Sequence, residues 1–434
     1  MMKIGLKTLT PLWTGDVSGK SSFAKETGII GSLRWWYEAL IRGLGGYACD
    51  PTGDDGCSLK YDKGKGDQLD QKLKSLCNAC HLFGATGWGS LFRIDMSGWS
   101  TNKVEVLTQF GPKGNQVDVS WWLGKTLGKP LNAITLNGTS STNIVPLRGD
   151  NETEIENIIL FLIALISKAG AIGSKAQNGF GVYEITGLEN FKERTRKGYS
   201  LIKGSLKRNL TAEQGRLQLQ VHYPNFKNFF VLDVTIDNHD NKSYVSQLKR
   251  KPLSGFAIRY YLRKRFKDEK KDGLPVHNFS DLDGLRSSLN QDYFFKEYRD
   301  HFHGRELNKM LPQRIVARHL FGSDLSNKDA TKGKWGSKIY VSNTFVRDEN
   351  VHFRVWGEIP ESLVYNYEFA PKNQRKGSYT TKEIEVKFNR EKTINKIMEY
   401  IKDGFGVSNL QFSVLKSGID ILNDMKKGGY IDGI

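Results

Sequence analysis

Apolar residues recur along the chain with two periods, and they do so twice. In the first stretch Leu33, Trp36, Tyr37, Leu40, Ile41 and Leu44 fall on one face at helical spacing, which predicts a helix. An extended segment, Lys3 to Trp13, precedes it. Two short β-patterned runs follow, Leu91-Phe92-Arg93-Ile94 and Val104-Glu105-Val106-Leu107, separated by a polar turn, and these read as a hairpin. A second helix is predicted from Ile155 to Lys168 after the extended Val145-Pro146-Leu147. A last strand, Val182 to Ile185, follows Gly179-Phe180-Gly181. The later half repeats the order. Phe229 to Val234 is extended, and Phe256, Tyr260 and Phe266 mark a helix. Ile339-Tyr340-Val341 and Val351 to Val355 make a hairpin. Ile394 to Lys402 follows Ile384-Glu385-Val386, and Leu410 to Val414 closes the set after Gly404-Phe405-Gly406.

Sequence landmarks support the duplication. Arg34-Trp35-Trp36 returns as Arg259-Tyr260-Tyr261, His81-Leu82-Phe83-Gly84 as His319-Leu320-Phe321-Gly322, and Trp88-Gly89-Ser90 as Trp335-Gly336-Ser337. Gly89 to Val106 aligns without gaps against Gly336 to Phe353. Strand, helix, hairpin, helix, strand is the ferredoxin-like, RRM-like plan of an α+β domain, an antiparallel sheet with helices on one face and the other left for a ligand. The expected organisation is two such tandem domains, at 1–195 and 216–434, with a basic linker at 196–215. At 434 residues each half can bury its own core.

Charge changes the picture. The formal net charge is +17, which favours polyanionic partners. Lys249 to Lys271 holds ten Lys/Arg against two acids, a surplus of eight. Arg250, Lys251, Arg259, Arg263 and Lys264 of this segment are candidate RNA contacts, the last three beside Tyr260 and Tyr261. The longest apolar run, Ile158 to Ile166, is too short to cross a bilayer, and the first residues do not read as a secretory leader; no membrane partner and a cytoplasmic location are expected.

All the cysteines lie within the expected insertion 46–81, as Cys49-x7-Cys57 and Cys77-x2-Cys80, with His81 as a spare ligand. Two such knuckles supply four thiolates for a structural Zn²⁺ and close its shell against catalysis. The intervening Asp50 to Leu76 is too polar to order itself. The glycine-rich loop Gly170 to Gly181 leaves a helix and enters a strand, unlike a Walker loop; its Lys175, Gln177, Asn178 and Phe180 are candidate RNA-backbone contacts, with Arg34 on the first helix. Gly28 and Gly31 are expected just before that helix, leaving its N–H groups open. Catalytic signals are poor. His301-Phe302-His303 has no partner in the pattern, and Asp16 stands alone in a short loop.

Thr10-Pro11-Leu12, Thr27-Gly28-Ile29-Ile30-Gly31-Ser32-Leu33-Arg34-Trp35-Trp36, Leu82-Phe83-Gly84 with Gly87-Trp88, and the loop ending Gly179-Phe180-Gly181 resemble the RAMP superfamily of CRISPR proteins. Within it they are similar to the first-subunit family of the type III-B Cmr effector complex. The resemblance spans nearly the whole chain. It implies a non-catalytic RNA-binding subunit at one end of a ribonucleoprotein filament, where it contacts the 3′ part of the guide RNA, captures target RNA and meets other Cmr subunits in antiviral defence. Asp16 sits earlier than the catalytic aspartate of the family's nuclease subunits, so the nuclease role is not carried onto it. The alternative is a RAMP endoribonuclease that processes guide precursors without metal. Such enzymes pair a C-terminal glycine-rich loop with an early histidine. Here the fuller loop is in the middle of the chain and the first histidine is His81.

Overall fold

A computed structural model of the chain describes residues 1–15, 21, 23–51, 56–59, 72–96, 98–127, 132–134, 140–147, 151–206, 223–237, 242–270, 273–276, 312–322, 336–369, 380–407 and 409–433. The first half contains β1 (Met2–Thr8), α1 (Glu26–Gly43), α2 (Asn78–Phe83), β2 (Phe92–Asp95), β3 (Thr101–Lys103), β4 (Gln109–Phe110), β5 (Val117–Asp118), α3 (Ser120–Leu127), β6 (Asn132–Ile134), β7 (Ser140–Pro146), α4 (Glu152–Ala169), β8 (Tyr183–Thr186) and α5 (Phe191–Ser205). The second contains β9 (Phe229–Ile236), α6 (Lys242–Arg250), α7 (Gly255–Asp268), α8 (Pro312–Phe321), β10 (Ile339–Val341), β11 (Phe345–Arg347), β12 (Asn350–Glu358), β13 (Ser362–Phe369), β14 (Thr380–Lys387), α9 (Arg390–Phe405), β15 (Leu410–Leu415) and α10 (Gly418–Lys427).

Each half is built on one antiparallel sheet, ordered β2-β7-β1-β8 in the first and β10-β12-β9-β15 in the second. The two orders are the same once the strands are matched. The opening strand is central, its neighbours are the later strands, and the strand after the first helix is at the edge. β1 alternates as an open sheet requires: Met2, Ile4 and Leu6 are buried beneath α1 and α4, while Lys3 and Lys7 face outward. β9 does not alternate. Phe229 and Val231 join the first half's core, whereas Phe230, Leu232 and Val234 join the second's. The continuous apolar run of β9 therefore records a strand covered on both faces. Arg354 of β12 fixes this contact, holding Asp233 at 2.7 and 3.0 Å and donating to the Ser167 carbonyl at the end of α4.

The hairpin expectation holds in the second half, where β10 and β11 both pair with β12. In the first half it does not: β2 pairs with β7, so the chain between them is an excursion. Met96 and Trp99 at its start stay in the first half's core, but Phe110, Val117, Val119 and Leu123 are buried in the other half. Leu107 bonds Pro252 and Ser254 backbone groups at 2.7 and 2.9 Å. Phe110 packs edge-on against Tyr261 and Phe405, and Trp122 stacks on Phe256. β14, the extended stretch before α9, pairs with β13 in a separate ribbon. The stretch expected as a basic linker opens as the last turns of α5, through Ser205; residues 207–222 lie outside the described set. No described helix is long and apolar enough to cross a membrane.

Candidate metal centre and nucleic-acid cleft

The four cysteines meet. Cys49, Cys57, Cys77 and Cys80 have all their Sγ atoms within 4.8 Å of one another. Cys49 lies 3.4 Å from Cys80 and 3.7 Å from Cys77. A tetrahedral ion with metal–sulfur bonds of about 2.3 Å separates its ligands by about 3.8 Å, so the spacing fits. The surroundings fit as well. Backbone N–H groups of Cys77 and Cys80 point at the sulfurs of Cys57 and Cys77, each at 3.4 Å. Arg34 reaches Cys80 Sγ at 3.2 Å, the Gly84 carbonyl at 2.7 Å and Glu38 at 2.8 Å, so a cation beside the thiols ties α1 to the cluster. Sharing of hydrogen bonds among the thiols lowers three of them and raises the fourth. Cys57 draws Cys49 down, and Cys49 draws Cys77 down. Cys57 itself, opposed by Cys49 but favoured by Cys77 and Cys80, falls to about 7. Cys80 is pushed up, by Cys49 foremost. His81 is not part of the cluster; its ring lies against Trp88.

The glycine-rich loop is bound to both halves. Gly181 and Ser174 donate backbone N–H groups to Pro11 and Trp13 carbonyls at 2.9 and 2.8 Å, and Ser174 Oγ caps the Thr14 carbonyl at 2.7 Å. Gly179 accepts from Asn343 of the second half at 2.8 Å, and a Cβ there would lie 2.6 Å from the Asn343 nitrogen. Beside the loop is a cleft of about 420 Å³ between the halves. The first turns of α1 form one wall (Thr27, Gly28, Gly31, Ser32, Trp35), the loop a second (Gly173, Ser174, Ala176, Gln177), and Tyr340 and Trp356 a third. Tyr340 and Trp356 are cross-strand partners on β10 and β12, stacked with centroids 5.6 Å apart.

The predicted site residues separate into groups. Gln177 is exposed and lines the cleft, and half-buried Lys175 opens the same turn. Asn178 is 1% exposed, and Phe180 is buried against Trp13, so both lie beneath the surface. Arg34 faces the cysteines. Arg250, Lys251, Arg259, Arg263 and Lys264 lie on or between α6 and α7, and none of them lines the cleft. Lys251 pairs with Glu105 at 3.0 Å, and Arg259 lies over Phe256 while donating to the Phe321 carbonyl at 2.9 Å. Gly28 and Gly31 are inside α1, because the helix starts at Glu26. A Cβ on Gly28 would lie 2.5 Å from the Thr14 carbonyl. Trp36 and Tyr261 are the core members of the repeated aromatic pairs, and Trp35 and Tyr260 are the half-exposed ones. Tyr340 and Trp356 were not singled out by sequence, because only cross-strand register brings them together. Asp16, His301 and His303 lie outside the described residues.

No curated protein matches the chain. Among solved structures, the apo crystal structure of Cmr1 from Pyrococcus furiosus is similar at 14% identity, with a TM-score of 0.40, covering 95% of this chain and 98% of that one. A chain of the type III-B Cmr-beta complex bound to cognate target RNA is similar at 12% identity and a TM-score of 0.37, covering 92% and 99%. The RAMP superfamily profile matches residues 5–184. That span holds the cysteine centre, the first sheet and the glycine-rich loop, so the likeness to the RAMP superfamily covers the first half of the chain.

Proposed function

We propose that this chain is an RNA-binding subunit of a type III-B CRISPR ribonucleoprotein, built from two ferredoxin-like RAMP units, that holds the 3′ part of the guide RNA and captures target RNA without cutting it. The observation that carries the reading is the match of the RAMP superfamily model to the segment whose glycine-rich loop lines the cleft. The charge of +17 supports a polyanion as ligand. The cleft is lined by hydroxyls, an amide and aromatic rings. Its phenol, Tyr340, is pushed up to about 12 by burial and keeps its proton at neutral pH, so these groups suit holding RNA rather than acid–base chemistry. The cysteine centre takes one structural Zn²⁺, which staples the insertion to α1.

Binding of single-stranded RNA to the purified chain tests the reading. Affinity should fall steeply with salt, at about −0.7 in log–log slope per phosphate neutralised, and without sequence preference. Lys175→Ala should flatten that slope by close to one phosphate while leaving melting unchanged. A flat salt response in the parent protein rejects the reading. A complex rebuilt without this chain should bind target RNA more weakly yet cut it at the same positions.

A further inference from the structure

The duplication compares two versions of one helix position. Arg34 and Arg259 correspond, and the structure supports that register. Each donates to a backbone carbonyl at the end of the repeated His-Leu-Phe-Gly motif, Gly84 in one half and Phe321 in the other. Trp36 and Tyr261, two residues on, are both core residues. The same register places Phe256 where the first half has Gly31.

These positions differ in a way that helix physics does not explain. Phe256 is covered by the Trp122 ring, with centroids 3.9 Å apart and planes 14° from parallel. Gly31 is exposed in the second turn of α1 and opens into the cleft, and a Cβ built there meets nothing within 4 Å. Glycine weakens a helix interior, and no neighbour forbids a larger residue here. The open volume is bounded by half-exposed Trp35, by Tyr340 and by Trp356, with Ser32, Ser174 and Gln177 as polar edges. In the second half a flat ring from the same chain occupies the helix at this level. In the first the ring is missing and the space is kept.

We propose that the cleft at Gly31 is a stacking pocket for a single unpaired nucleobase of the bound RNA, taken between the Trp35 and Tyr340–Trp356 walls. The proposal rests on the RNA-binding reading above and deepens it. A π-face recognises any base, so the pocket selects unstacked nucleotides rather than a sequence.

The test is single-stranded RNA carrying one 2-aminopurine, bound by the full chain and by Gly31→Leu. Leucine favours the helix and fills the pocket. In the parent, binding should quench 2-aminopurine fluorescence several-fold. In Gly31→Leu quenching should disappear and affinity should fall about tenfold, with the salt slope and melting temperature retained. Tyr340→Ala should lose part of the quenching. Binding with a normal salt slope but no quenching in the parent, or equal quenching in parent and Gly31→Leu, overturns the pocket and leaves the RNA-binding reading intact. No RNA binding by the parent at all overturns both.

Discussion

His81 and His319 occupy the same place in a repeated motif and meet different physics. His81 lies at the edge of α2 against Trp88. His319 is 7% exposed on α8 and lies edge-on to Phe388. Burial, with Lys338 adding to it, holds the His319 imidazole well below the usual histidine range. Its folded value is thus below its unfolded value of about 6.5, and the unfolded chain binds the extra proton. The stability contribution is intact above pH 6.5 and is lost as pH falls below it, at up to about 1.4 kcal/mol per pH unit. Denaturant unfolding at pH 7.5 and 5.5 should show His319→Gln less acid-sensitive than the parent. An equal loss in both would show that His319 is not the titrating group. The repeated motif was plain in the sequence. Which copy is buried was not, because the packing around His319 includes Phe388, far away in the chain.

At the scale of elements, the cysteine segment shows what local spacing encodes. α2 has six residues, and its N-cap is a cysteine whose sulfur accepts from the Cys80 N–H. One thiol therefore caps the helix and faces the metal position, and the two-residue gap between Cys77 and Cys80 is what a helix start provides. That pattern was legible because its geometry is contained within a few residues. The partner of β2 was not legible, because the apolar Val104, Val106 and Leu107 looked like a strand for the near sheet while packing on the far core. Protein purified without added metal should carry about one equivalent of zinc. Cys77→Ser with Cys80→Ser should release it and expose the insertion to protease, since a structural zinc site is worth on the order of 10 kcal/mol. Less than a fifth of an equivalent in the parent would remove zinc from the account. Acidification below neutral should weaken binding, because protons compete for the same thiolates.

The whole molecule is two similar halves that do not have separate cores. β9 buries Phe229 and Val231 in the first half and Phe230, Leu232 and Val234 in the second. The excursion between β2 and β7 sends Phe110 the other way, 1% exposed, with ring centroids 4.7 Å from Phe405 and 5.1 Å from Tyr261. Gly404 makes room for it: a Cβ there would lie 2.6 Å from the Phe110 ring tip. The Gly-Phe-Gly motif of the second half thus has a packing reason in the first half, which no reading of one half alone could find. Tandem domains of this size ordinarily unfold in separate steps. Here each core contains side chains from the other half, so unfolding one removes part of the other. Guanidinium unfolding followed by tryptophan fluorescence and by circular dichroism should give one coincident transition. Phe110→Ala should lower its free energy by about 3–5 kcal/mol, the range for truncating a buried phenylalanine. Because Phe110 belongs to the first half by sequence and the second by packing, the loss should appear in both probes together. Two separated transitions, with Phe110→Ala moving only one of them, would mean that the halves fold independently and that the crossed side chains only dock them.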